Sequence, residues 1–184
     1  MIWFSSDQHF YHTNVIEYCK RPFRDLDHMH EEMINRWNSK VKKEDVTYIL
    51  GDFCFGKPKK ANEILAQLNG QKILVKGNHD HSVTKWHCDL ATDPFEFSLE
   101  VPFYDGLLYF PVTLSHYPYT PLAPDEDTRF LDRRPAEDGN WLLHGHVHCL
   151  WKVKDKRKMI NVGVDVWDFY PVSYDDILKV IRDL

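Results

Sequence analysis

No stretch of this chain approaches the roughly 20 consecutive apolar residues of a membrane-spanning helix, so none is expected. There is no basic excess either. Lys and Arg number 23 against 28 Asp and Glu, giving a net charge of −5, whereas a duplex nucleic-acid interface demands a basic face. A nucleotide or short oligonucleotide is not excluded, because bound metal can supply positive charge locally. The four cysteines, Cys19, Cys54, Cys88 and Cys149, form no Cys-x-x-Cys pair and no zinc-finger spacing, so thiols in a reducing compartment are expected. The opening residues Met1-Ile2-Trp3-Phe4 lack the basic region and small-residue cleavage site of a signal peptide and read as a first strand. The expectation is a cytoplasmic protein.

What is present is enough for a core. The 184 residues are 43% hydrophobic and 14% aromatic, which suits one domain over 1–184. Strands are expected at 2–5, 45–50 and 72–75. Leu26, Met29, Met33, Trp37 and Val41 fall near a helical period over 25–40. Ala61, Ile64, Leu65 and Leu68 do the same between Pro58 and Asn69-Gly70. This β-α-β-α-β order implies parallel strands with crossover helices. Later residues change to short strand-like runs at 95–101, 107–110, 112–114, 141–143, 151–153 and 159–162, with Asp105-Gly106 as a hairpin turn. Ser173 and Asp176 box the start of a last helix carrying Ile177, Val180, Ile181 and Leu184 on one face.

Eleven histidines hint at metal chemistry, and their spacing sharpens the hint. Just after expected strand ends come Asp7 and His9 in Ser-Asp-Gln-His, Asp52 in Gly-Asp-Phe, Asn78 in Gly-Asn-His-Asp, His116 in Ser-His-Tyr-Pro, and His146 and His148 in Gly-His-Val-His. Open α/β sheets build their sites at such ends. Taken singly, Asp7 or Asp52 suits a cap or turn, Asn78 a left-handed turn, and His116 an ordinary partly buried histidine. Together they are two carboxylates, one amide oxygen and four imidazoles, a mixed oxygen and nitrogen set suited to Mn²⁺, Fe, Ni²⁺ or Zn²⁺ rather than to a structural zinc knot. A carboxylate can bridge two ions about 3.5–4 Å apart that share a hydroxide. Two divalent ions, less two aspartates and one hydroxide, leave one formal positive charge to attract an anion such as phosphate.

These blocks (D-x-H, G-D, G-N-H-D, an isolated H and G-H-x-H, in that order) resemble the calcineurin-like metallophosphoesterase family from Asp7 to His148. The resemblance implies an α/β fold of the four-layer α-β-β-α sandwich type and two divalent metal ions, Mn first. It implies a phosphodiesterase acting on a small or nucleotide-type substrate, with a metal-bridging hydroxide attacking phosphorus in line. On it, Asp7, His9 and His148 would hold one ion, Asn78, His116 and His146 the other, and Asp52 would bridge both. His79 would steady the phosphoryl oxygens or protonate the leaving group, with Asp80 placed to orient its imidazole. A phosphomonoesterase with the same centre and a catalytically silent scaffold are the alternatives, and retention of every block favours an enzyme. Gly51-Asp52-Phe53-Cys54-Phe55-Gly56 and Gly77-Asn78-His79-Asp80 depart from the G-D-x-x-D-R-G and G-N-H-E of large protein phosphatases, which argues against a phosphoprotein substrate. No duplex nucleic acid, membrane or obligate protein partner is expected.

Around these blocks, His12 and Asn14 are candidates for the mouth of the site. His28, His30 and His87 are expected to be solvated, His81 and His144 to pack or bond locally, and Cys54 to lie beneath the site. The polar stretch 117–140 offers Tyr117 and Tyr119 for stacking on a base and Arg129, Arg133 and Arg134 for phosphate, or is simply a solvated loop. Tyr104, Trp167 and Phe169 read as an aromatic wall or, more simply, as core.

Overall fold

Apolar runs of four or five residues form the central strands, and the amphipathic segments between them form the crossovers. The computed structural model describes residues 1–80, 90–91, 98–104, 106, 109–120 and 129–184. In chain order its elements are β1 (Ile2–Ser5), α1 (Asn14–Tyr18), α2 (Leu26–Lys40), β2 (Val46–Leu50), α3 (Pro58–Leu65), β3 (Gln71–Val75) and β4 (Leu90–Ala91). There follow β5 (Ser98–Tyr104), β6 (Tyr109–Ser115), β7 (Trp141–His144), β8 (Val153–Lys154), β9 (Met159–Asn161), β10 (Val172–Ser173) and α4 (Tyr174–Arg182). The protein is mixed α/β, with two mixed sheets and four α-helices among the described residues. The first sheet runs β10-β1-β2-β3-β4, with β1 to β4 parallel and β10 antiparallel at its edge. The second runs β5-β6-β7-β9-β8, with a parallel β6, β7, β9 centre and antiparallel edges.

Period-two alternation divides the core. Trp3, Ile49 and Leu74 pack with Met29, Met33, Trp37 and Ile64 of α2 and α3 on one face of the first sheet. Their neighbours Phe4, Leu50 and Val75 point the other way and cluster with Leu114, Leu143 and Ile160 of the second sheet. On the far face of that sheet, Leu142 and Met159 pack with Tyr119 and Trp151. No helix among the described residues is long and apolar enough to cross a membrane.

The helix starts follow local chemistry. Asp25 caps α2 by accepting the His28 amide at 2.8 Å. The Ser173–Asp176 capping box opens α4 as expected. Five-residue α1 and two-residue β10 escaped the sequence reading, being too short for periodicity to show. Residues 109–110 of the run at 107–110 join the run at 112–114 in one strand, β6, continuous through Pro111, while 107–108 lie outside the described residues. Pro111 faces Pro102 of β5, and pairing with β7 begins only at Val112, so the ladder needs no amide there. The run at 151–153 shifts to Val153–Lys154. Of the run at 95–101, residues 98–101 belong to β5, while 95–97 and Asp105 lie outside the described residues.

Buried Asp45 ties the start of β2 to β1. The Met1 ammonium at 2.6 Å, the Lys42 amide at 2.9 Å and the Trp3 indole at 3.0 Å all donate to it and hold its carboxyl down to about 2. A depressed carboxyl stabilises the fold above the ordinary range, near pH 4, and that contribution is lost as pH falls through about 2. Asp45→Asn should therefore melt below the parent at pH 7, with the gap closing near pH 2. An equal gap at both pH values would contradict this.

Candidate metal centre

The parallel register Ser5↔Ile49 and Leu50↔Val75 ends β1, β2 and β3 at one edge, so Asp7, Asp52 and Asn78 leave from neighbouring strand ends. Amides zip the first two loops together: Asp7 donates to the Gly51 carbonyl at 3.0 Å, His9 to that of Asp52 at 3.0 Å, and Phe10 to that of Phe53 at 2.9 Å. From the second sheet, β6 and β7 end beside one another, and the Gly145 amide donates to the His116 carbonyl at 3.0 Å. A bridge between Ser6 and Gly163 links the two sheets at this edge. The His146 amide reaches both carboxylate oxygens of Asp7, at 3.1 and 2.9 Å.

The loops are tightly wound. Asp7, His9, Asp52, His146 and His148 all have φ between 49° and 70°, where a side chain costs about 1–2 kcal/mol. Close approach explains two glycines. A Cβ on Gly145 would sit 1.9 Å from Ser6 Oγ and 2.3 Å from Asp7 Oδ2, and one on Gly77 would sit 2.4 Å from Asp52 Oδ1.

The seven expected ligands converge. Asp7, His9 and His148 offer donor atoms within 4.8 Å of one another, as do Asp7, Asp52 and His116. Asp52 Oδ2 lies 3.5 Å from both His9 Nε2 and His116 Nε2, and His116 Nε2 is 3.2 Å from Asn78 Oδ1. The His146 ring centroid is 5.2 Å from that of His116. His116 Nδ1 donates to the Leu50 carbonyl at 2.9 Å, which turns Nε2 toward Asn78 and Asp52. His9 Nε2 is buried with no hydrogen-bond partner, as expected of an atom waiting for a cation.

Electrostatics agree with that fit. Burial would raise Asp52, but His116 outweighs it and holds the carboxyl far below its usual range. Burial would depress His116 and His148, but Asp52 lifts the first to about 9, and Asp165 with Asp7 lifts the second to about 11. Protons on these histidines thus balance the carboxylates, and a cation held there would displace them.

Not every expectation survives. Asp80 does not orient the His79 imidazole. It folds beneath the site, fully buried, and accepts the amides of Asp52 at 2.7 Å, Gly77 at 2.8 Å and Phe53 at 3.0 Å, so it locks two ligand loops instead. The His79 amide donates to Asp52 Oδ1 at 2.8 Å, and its ring lies among those of His9, His12 and Phe55. His12 does stand at the mouth, 3.2 Å from His9 and stacked on Phe55, whereas Asn14 reaches the Tyr18 hydroxyl. His30 is not solvated: it is buried on α2 and accepts the Tyr11 amide at 2.9 Å. His28 is half-buried and accepts the Arg24 amide. His144 bonds locally to Gly145, as expected. Cys54 is buried, which pushes its thiol up to about 12 and leaves no thiolate ligand. Tyr117 and Tyr119 are buried too, and so unavailable to a base, since Tyr119 anchors on Asp138 at 2.7 Å. Phe169 is core, Trp167 donates to the Asn161 carbonyl, and Tyr104 is exposed against Tyr109. His81, His87 and Cys88 lie outside the described residues.

Two residues escaped the sequence reading. The buried Arg21 guanidinium pairs with Asp165 at 2.8 and 2.9 Å and donates to the carbonyls of Asp7 at 2.7 Å and Gln8 at 2.8 Å. Asp165 in turn accepts from His148 Nδ1 at 3.2 Å. Neither belongs to a motif and 144 positions separate them, so the sequence carried no signal for the pair. Beside His146 and His148 opens a cleft of about 530 Å³, lined by Tyr18, Cys19, Pro118, Arg129, Trp151 and Lys154 among others.

No family model matches the chain. It is similar to the uncharacterized protein MJ1445 of Methanocaldococcus jannaschii, with 34% identity over 98% of this chain and 91% of that one. It is also similar to the gene 66 protein of Mycobacterium phage D29, with 33% identity over 100% and 96% of the two chains. The crystal structure of AQ665 from Aquifex aeolicus, a protein of unknown function, aligns with TM-score 0.74 and 31% identity over 98% of this chain and 99% of that one.

Proposed function

We propose that this chain, which belongs to one family with MJ1445 and the phage gene 66 protein, is a metal-dependent phosphoesterase of the calcineurin-like type. Its reaction would be hydrolysis of a phosphodiester bond in a small or nucleotide-type substrate. The observation that carries this reading is the convergence of the donors of Asp7, His9, Asp52, His116 and His148, with Asn78 and His146 beside His116, from five strand ends, His9 Nε2 being buried without a hydrogen bond. Asp7, His9 and His148 would hold one divalent cation, Asn78, His116 and His146 a second, and Asp52 would serve both. Such cations, Mn²⁺ first by donor type, supply Lewis acidity and a water activated near neutral pH. The chain's own residues do the rest. His116 presents Nε2 because the Leu50 carbonyl accepts the hydrogen bond from its Nδ1–H. His79, held through its amide on Asp52, brings an imidazole to the mouth where a leaving group departs. The reading includes a four-layer α-β-β-α arrangement, supported by helices over one face of the first sheet and a second sheet against the other.

The cleft favours a diester over a monoester, because its roughly 530 Å³ leaves room for a second ester arm beside His146 and His148. The test is to strip the protein of metal, reload it with Mn²⁺, Ni²⁺ or Zn²⁺, and offer monoesters, linear diesters, cyclic nucleotides and oligonucleotides. Diester hydrolysis should return with Mn²⁺ and vanish with chelator. Protein that holds two ions and cleaves none of these sinks the reading, while faster turnover of monoesters moves it to phosphomonoesterase.

A further inference from the structure

We propose that Asp165 and Arg21 make the two cation positions unequal, so that the one built on Asp7, His9 and His148 binds more tightly; this rests on the metal-centre reading above. The partners of the two orienting histidines differ in kind. His148 Nδ1 is held by a carboxylate, Asp165, at 3.2 Å, whereas His116 Nδ1 is held by a neutral carbonyl, that of Leu50, at 2.9 Å. A carboxylate behind an imidazole makes the opposite nitrogen a stronger donor than a carbonyl does. Arg21 holds that carboxylate in place, since both side chains of the pair are at most 2% exposed and two charge-assisted bonds join them. Its remaining donors hold the Asp7 and Gln8 carbonyls, and so fix the Asp7-Gln8-His9 backbone that supplies the other two ligands. One network thus braces all three ligands of a single position.

Cys19, His148 and Asp165 also bring a thiol, an imidazole and a carboxylate within 4.8 Å of one another. A cation among them would sit against the guanidinium that already bonds both Asp165 oxygens, so these groups serve the ligand His148 and are not a site of their own. Asp165 and Arg21 are therefore positioning residues.

The test is a calorimetric titration of metal-free protein with Mn²⁺. The parent should take up two ions with resolvably different affinities, and two identical affinities overturn the inference. Asp165→Asn should weaken one ion about 10- to 100-fold and leave the other within about threefold. Because that change strands a buried guanidinium, the double variant Arg21→Gln/Asp165→Asn, which removes both charges, is titrated beside it and should lose the same ion selectively. Equal weakening of both ions, or no change in either, in a variant that melts as a folded protein also overturns it. A parent that takes up no Mn²⁺ sinks the metal-centre reading itself. A parent with unequal ions that hydrolyses no phosphoester sinks the enzymatic function and leaves this inference standing.

Discussion

Asp52→Asn should reduce phosphoester turnover by more than roughly 100-fold and lower bound metal well below two ions per chain. Loss of an outer partner of a ligand alone costs about 10- to 100-fold in affinity or activity, and Asp52 is nearer the centre than any such partner. Its Oδ2 stands 3.5 Å from Nε2 of His9 and of His116, one histidine from each cation position, so the change withdraws charge from both. The fold should persist. Asparagine keeps the shape, its Oδ1 can still accept the His79 amide, and His116 can shed the proton that Asp52 holds on it, leaving a neutral pair in place of an ionic one. Metal analysis and thermal melting of the variant separate these effects. A fully loaded Asp52→Asn protein turning over at the parent rate would falsify the assignment of Asp52 to both positions.

What could be read from the sequence was whatever local chemistry dictates. Alternating Trp3-Phe4, Ile49-Leu50 and Leu74-Val75 announce strands buried on both faces, and those strands do split between two cores. The ligand motifs were visible because each follows a strand end by one to three residues, so position and chemistry coincide in a short window. Asp80 was misread for the complementary reason. Sequence adjacency suggested service to His79, whereas a tight turn carries the side chain back under Asp52, where three amides compete for it. His30 lies on the face of α2 that meets Phe10 and Tyr11, and polarity alone could not show that a backbone amide was waiting there. The Arg21–Asp165 pair depends wholly on tertiary placement. A buried ion pair has no periodicity and no spacing, only a partner, and the partner is on the other side of the chain.

His79→Ala should behave as the converse of Asp52→Asn, keeping both cations while losing turnover by roughly 10²- to 10⁴-fold, the range for a positioned general acid or base. The geometry permits so clean a separation. His79 is tied to the site through its amide, which donates to Asp52 Oδ1 at 2.8 Å and survives truncation to alanine. Its ring makes no hydrogen bond among the described residues and rests against His12, His9 and exposed Phe55. Removing that ring takes nothing from the donor atoms, whereas removing His12 would withdraw the 3.2 Å contact on His9 Nδ1 and so disturb a ligand. A leaving group that departs unaided gains little from a proton donor, so nitrophenyl esters should be nearly spared and alkyl or nucleoside leaving groups should bear most of the loss. If the variant hydrolyses both kinds of ester as fast as the parent, no proton passes through His79. If it instead arrives short of metal, His79 belongs with the structure of the centre and the acid has to be sought elsewhere, with His12 at the same mouth the next imidazole to test.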